Sequence, residues 1–317
     1  MTTAFLRKLT TMLLVSGVLL LVAPYNFGTL NASAVESVSN LDSERNQFMR
    51  KESPWGQYWQ FIPNGTVKDI LVVVHGTVNQ ESDPTAIKVS LDFIYRWIDY
   101  AKANQLIVLS PAFDTDNYQL VAGGYRGLYG RIFGADEFVI NLVNQYKDVV
   151  QDFDGRFYLY GHSAGGQFSN RFSVRHPHLL KGLILSAPGR YAFPDKLIGW
   201  PYGMGRYTSS QKWGDSPAKL VQVYPDPAGW LAAAQVPTVI LVGSQDLELQ
   251  SHYGQETMTR VELAIKYTAD MKAYAAEHGV ESVIKLRIVQ GAGHSSAAMT
   301  PQAQEELSLM LKMNAAK

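Results

Sequence analysis

The chain contains no cysteine. That absence excludes disulfides, thiolate-held zinc or iron–sulfur clusters, a cysteine nucleophile and an acylated-cysteine anchor, while leaving an oxidising compartment open. Charge of one sign is also missing: 28 Lys and Arg balance 28 Asp and Glu, for a formal net charge of zero. A neutral chain with no basic run lacks the cationic footprint of a nucleic-acid binder, so no nucleic acid is expected as partner. Long hydrophobic runs are scarce. The apolar stretch Met12 to Ala23 falls short of the roughly 20 residues a membrane span needs. What is present suits a packed globular protein: 46% hydrophobic and 18% charged residues, with 26 Gly and 14 Pro in 317 residues, exclude a disordered or collagen-like chain.

Arg7 and Lys8 precede the apolar stretch, and Ala32-Ser33-Ala34 supplies small residues in an A-x-A pattern. Residues 1–34 therefore read as a signal peptide cleaved after Ala34, with an uncleaved anchor as the alternative. The expected mature chain, 35–317, is secreted or periplasmic and has no stable membrane span after processing.

Beyond that point strands alternate with helices. Asp69 to Val74 is a β-branched run suited to a strand buried on both faces. The pattern then predicts a helix over 86–103, a strand over 105–109, a helix over 136–150, a strand over 156–160 and a helix over 164–176. Strands over 182–186 and 238–242, a helix over 262–278, a strand over 283–289 and a helix over 302–313 follow. Such alternation implies an α/β fold with a mostly parallel central sheet covered by helices on both faces. No internal repeat or low-complexity linker divides it, so 35–317 reads as one catalytic domain. Two stretches interrupt the pattern, 112–133 and 189–230. The second is rich in Trp and Tyr and reads as a cap-like insertion after the strand that follows the nucleophile helix. Its Trp200, Trp213 and Trp230 are candidate substrate-pocket residues, apolar with a polar tip; a locally packed surface insertion is the other reading.

The chemistry centres on Gly161-His162-Ser163-Ala164-Gly165, which joins a predicted strand to a predicted helix. A tight strand-to-helix turn needs small neighbours on both sides, and it pushes the Ser163 hydroxyl out above a helix N-terminus. Serine at neutral pH is a poor nucleophile and needs a base. His294 follows the last strand, at the same sheet edge as Ser163, and is the chosen base among seven histidines. His75 lies at that edge too and is given a structural role in its loop, and His162 points elsewhere. His176, His178 and His278 sit at helix ends, and His252 has no motif. Asp246, just past the 238–242 strand, is the acid expected to orient His294, with Glu248 as its rival. The backbone N–H of Ala164 and that of Thr77, or of Gly76, are the expected oxyanion donors. No pair of histidines has metal-ligand spacing on a helix, so no metal is expected.

The order Ser163, Asp246, His294 and the segments Tyr160 to Gly166, Ser186-Ala187-Pro188-Gly189 and Gly291 to Ser295 resemble the α/β-hydrolase superfamily from about Trp55 to the C-terminus. Within it the chain is similar to secreted polyhydroxybutyrate-depolymerase and feruloyl-esterase-like hydrolases. The resemblance implies an α/β-hydrolase fold, a triad of Ser163, Asp246 and His294, and small or soluble carboxylester substrates cleaved without a cofactor. The lack of cysteine and of a polymer-binding module sets the chain apart from members that attack insoluble polymers. A serine peptidase of the same fold is the alternative enzyme. A non-catalytic binder is a third reading, and an activated serine speaks against it.

Overall fold

The structure, a computed structural model, describes residues 43–78, 83–118, 124–211, 219–223, 225–252 and 256–315. The expected signal peptide and Trp213 lie outside the described residues.

Two strands that the alternation did not predict, β1 (Phe48–Ser53) and β2 (Gly56–Phe61), pair as an antiparallel hairpin. Phe48 stacks on Trp59 with ring centroids 4.7 Å apart. Both strands are half-buried, and charged Arg50, Lys51 and Glu52 guard the outer edge against further pairing. Next come β3 (Asp69–Val74), α1 (Asp83–Tyr95), α2 (Ile98–Asn104), β4 (Leu106–Pro111), the short α3 (Thr115–Tyr118) and α4 (Ala135–Asn144). The second half holds β5 (Phe157–His162), α5 (Ala164–Arg175), β6 (Leu180–Ser186), β7 (Tyr207–Gln211), β8 (Lys219–Val223), α6 (Pro227–Ala234) and β9 (Thr238–Gly243). The chain continues through β10 (Leu249–His252), β11 (Glu256–Thr259), α7 (Arg260–Glu277), β12 (Ile284–Val289) and α8 (Ser296–Ala315).

The main sheet has 8 strands in the order β1-β2-β4-β3-β5-β6-β9-β12. β1, β2 and β4 meet antiparallel, and every other pairing is parallel. Side chains alternate between two cores. Val72 and Val74 of β3 join the face covered by α4, α5, α6 and α7. Leu71 and Val73 join the face covered by α1, α2 and α8. This double burial explains why β3 reads as a continuous apolar run; each such side chain contributes about 1.5–3 kcal/mol.

Three element boundaries depart from the sequence pattern. The helix expected over 86–103 is two helices, because the chain turns at Trp97 to bury that indole against Tyr160, ring centroids 5.0 Å apart. The helix expected to reach Val150 stops at Asn144, and Val150 instead bridges Val67 beside the sheet. The last helix starts at Ser296, ahead of Pro301, because burial of Met299 and Ala303 holds its first turns on the sheet.

The insertion between β6 and α6 carries the small antiparallel hairpin of β7 and β8. Its aromatic residues reach inward. Trp200 is 2% exposed and crosses the fully buried Trp230 at right angles, ring centroids 6.3 Å apart. Their indole N–H groups donate to the Gly127 and Ala192 carbonyls. The expected pocket role of Trp200 and Trp230 is thus corrected: both are core residues with no wet rim, because the main cluster extends into the insertion through Tyr191, Phe193 and Met204. Among the described residues, no helix is long and apolar enough to cross a membrane.

Candidate active site

Parallel strands deliver their following loops to one edge. Val74 of β3 pairs with Gly161 of β5, His162 with Ser186 of β6, and Gly243 of β9 with Val289 of β12. The loops bearing Thr77, Ser163, Asp246 and His294 therefore leave the sheet side by side.

Ser163 caps α5 with φ 55° and ψ −114°, a strained conformation costing of order 1–3 kcal/mol that the surroundings must hold. Its N–H donates to Ser186 O at 2.8 Å and its carbonyl accepts from Gln167 N–H at 3.0 Å. The flanking glycines are dictated by space. A methyl at Gly161 would lie 2.2 Å from the Gly165 carbonyl oxygen, and one at Gly165 would lie 2.3 Å from the Val74 oxygen.

The structure brings Ser163, His294 and Asp246 together. Ser163 Oγ lies 2.9 Å from His294 Nε2, and His294 Nδ1 lies 2.7 Å from Asp246 Oδ2. The acid and base loops are tied to each other, since Gln245 N–H donates to Ala292 O and Gly291 N–H to Ser244 Oγ, both at 2.9 Å. Asp246 is 2% exposed. Burial alone would raise its pKa, but the hydrogen bonds from His294 and Arg260 outweigh that and hold the carboxyl below its usual value. Glu248, the rival acid, points outward with its side chain 67% exposed and pairs with Arg260 instead.

His162 does not reach Ser163 Oγ. Its Nδ1 shares a hydrogen bond with Ser186 Oγ at 2.8 Å, and its ring lies 4.9 Å from that of His294. Burial, followed by the nearby His294, lowers its pKa to about 3. His75 is buried in its loop, where Nδ1–H donates to Gly76 O at 2.7 Å and Nε2 accepts from Phe113 N–H at 3.0 Å. Burial lowers its pKa to about 4, so it stays neutral. Of the other histidines, His176 pairs with Asp136, His178 is exposed and His278 bonds the Tyr274 carbonyl, all apart from the site, while His252 is the last residue of β10.

The donors for a developing oxyanion follow from the same backbone. Ala164 supplies the first N–H of α5, one of those left without an acceptor inside a helix. A methyl at Gly76 would stand 3.7 Å from Ser163 Cβ, so the His75-Gly76-Thr77 loop is adjacent to the nucleophile. The Gly76 carbonyl is held by two donors, His75 Nδ1 and Tyr125 OH at 2.9 Å. In a trans peptide this turns the Thr77 N–H away from the buried side, and Thr77 itself is exposed. Sequence reasoning missed Tyr125 and Arg260. Tyr125 lies in an irregular stretch with no motif. Arg260 carried a signal, because a cation in the first turn of a helix opposes the macrodipole and calls for another reason to be there.

No family model and no curated protein matches the chain. Solved structures do match. Poly(aspartic acid) hydrolase-1 from Sphingomonas sp. KT-1 superimposes with a TM-score of 0.61 at 23% identity, over 82% of this chain and 98% of that one. A poly(3-hydroxybutyrate) depolymerase from Bordetella parapertussis gives 0.59 at 22%, over 78% and 82%. The chain has the α/β-hydrolase fold. At this identity the likeness carries the hydrolase fold and not a substrate.

A groove of about 660 Å³ opens at the opposite edge of the hydrolase sheet among Leu180, Thr238, Ile284, Met310 and Met313. Size does not make it the reaction site, for it includes none of Ser163, Asp246 or His294.

Proposed function

We propose that the chain is a serine hydrolase that cleaves carboxylic esters through an acyl-enzyme on Ser163. One observation carries this reading: His294 bridges Ser163 Oγ and Asp246 Oδ2 at 2.9 and 2.7 Å, with the nucleophile on a strained turn beneath free helix N–H groups. Ser163 Oγ attacks the ester carbonyl as His294 Nε2 takes its proton. The oxyanion accepts from Ala164 N–H and Thr77 N–H. His294 then gives the proton to the departing alkoxide, and a water repeats the sequence to release the acid. Asp246 keeps the imidazole in the tautomer with hydrogen on Nδ1 and stabilises its charged form. In this reading residues 1–34 direct the chain out of the cytoplasm, and the mature enzyme is secreted or periplasmic.

The test is turnover of p-nitrophenyl esters of graded acyl length beside aminoacyl-nitroanilides. Ester hydrolysis that is lost in Ser163→Ala supports the reading. Faster amide than ester turnover, after allowance for intrinsic reactivity, would make the protein a peptidase or amidase of the same fold.

A further inference from the structure

Arg260 stands where helix electrostatics disfavour it. It is the first residue of α7, behind the N-cap Thr259, whose side chain accepts from Glu262 N–H in a capping box. Positive charge there opposes the macrodipole, yet Arg260 is only 7% exposed, and arginine is seldom buried without a partner. Its Nη1 donates to Asp246 Oδ1 at 2.8 Å and lies 2.5 Å from Glu248 Oε2. The oxygen it takes on Asp246 is the one His294 does not use. Arg260 Nε is buried with no hydrogen-bond partner among the described residues, so the side chain accepts an unpaired donor in order to hold this position.

We propose that Arg260 is a positioning residue of the candidate site: it locks Asp246 with Oδ2 toward His294 and places a fixed positive charge behind that carboxylate, so that the activation of Ser163 and its response to pH depend on that charge. The inference rests on the serine-hydrolase reading above.

Other groups lie near Asp246, Arg260 or His162, and none replaces this effect. His162, from the end of β5, is neutral, since burial pushes its pKa to about 3. Tyr191, from the chain after β6, is a fully buried phenol whose pKa burial raises well above its ordinary value, so it too is uncharged. Arg96, past the end of α1, reaches the same side through its bond to Ser296 Oγ at 3.0 Å and adds charge of the same sign. Glu248 is exposed, and solvent screens its neutralisation of Arg260. Arg260 and Asp246 face each other away from water, where a charge acts further.

The second-order rate at which a fluorophosphonate labels Ser163, followed across about pH 4.5 to 9 at low ionic strength, reads the free base without a known substrate. Arg260→Gln is expected to move the acid limb upward by roughly half to one pH unit. Arg260→Lys keeps the charge and should leave the limb in place while lowering the plateau, because an ammonium cannot reproduce the planar guanidinium contacts. A merely structural role would lower the plateau in Arg260→Gln and leave its limb where it was, and that result overturns the proposal. Should Arg260→Gln fail to fold, Glu248→Gln decides. Freed of its counter-charge, Arg260 should then move the limb downward by a few tenths of a unit, and an unmoved or upward limb overturns the proposal. A wild-type chain that is not labelled at all refutes the hydrolase reading itself, which keeps the two failures apart.

Discussion

Replacing Asp246 by asparagine separates orientation from packing at the site. The carboxylate is 2% exposed and accepts from His294 through Oδ2 and from Arg260 through Oδ1. An amide of the same shape fills the space but carries a donor on one side. If its NH₂ faces His294, the imidazole must present a bare Nδ1 and put its hydrogen on Nε2, so that Ser163 loses its acceptor. Such a tautomer switch costs about 10⁴ in kcat in serine proteases. Three to four decades correspond to roughly 4–5.5 kcal/mol of transition-state stabilisation, far above the scatter of surface substitutions. Stability should fall less, by about 1–3 kcal/mol, since Arg260 keeps Glu248 as counter-charge. Glu248→Gln, at a side chain 67% exposed, should lose less than about tenfold. The assay is kcat on one p-nitrophenyl ester at one pH for both variants, with circular dichroism to establish folding. The opposite ranking would move the orienting role to Glu248. Equal small losses would mean that neither carboxylate holds His294.

Other outcomes follow from single contacts. Tyr125→Phe removes one of the two donors on the Gly76 carbonyl and should lower kcat about tenfold with little change in KM, as a loosened oxyanion donor costs about a kcal/mol or more; an unchanged kcat would show that His75 alone fixes the peptide. Trp230→Ala, at a fully buried indole, should cost about 3–5 kcal/mol in urea unfolding and leave acyl-length preference unaltered, whereas a changed preference at near-native stability would return Trp230 to the pocket. Acid should destabilise the fold early. His75 and His162, with pKa values of about 4 and about 3 in the folded protein, lie below the unfolded value of about 6.5. The unfolded chain therefore takes up protons first as pH falls through that window. Stability should drop by up to about 1.4 kcal/mol per pH unit for each histidine; equal unfolding free energies at neutral pH and at about pH 5 would contradict the burial of both rings as neutral groups.

What could be read in advance divides along physical lines. β3 was legible because burial on both faces demands an unbroken apolar run, and Ile70 to Val74 supply it. Ser163, Asp246 and His294 were legible as neighbours because each follows a strand of a parallel sheet, and such strands deliver their loops to one edge. β1 and β2 escaped because an edge hairpin is half wet, and its charged residues mask the period of two. The break at Trp97 was invisible locally, since it depends on packing against Tyr160 that only the folded chain creates. Trp200 and Trp230 were misplaced for a related reason: an indole's polar edge suits a wet rim or a buried carbonyl equally well, and here the carbonyls of Gly127 and Ala192 take it. Arg260 was half legible. Thr259 and Glu262 spell a capping box, which marks Arg260 as a cation in a first turn, but its partner Asp246 comes within reach only in three dimensions.

Labelling by a fluorophosphonate, with the modified peptide identified by mass spectrometry, tests the central claim most directly, because only an activated serine reacts quickly with that phosphorus centre. The account predicts a single adduct on Ser163, none in Ser163→Ala, and labelling slowed by about three decades or more in His294→Ala. An adduct on another residue, or labelling that persists in Ser163→Ala, would contradict it.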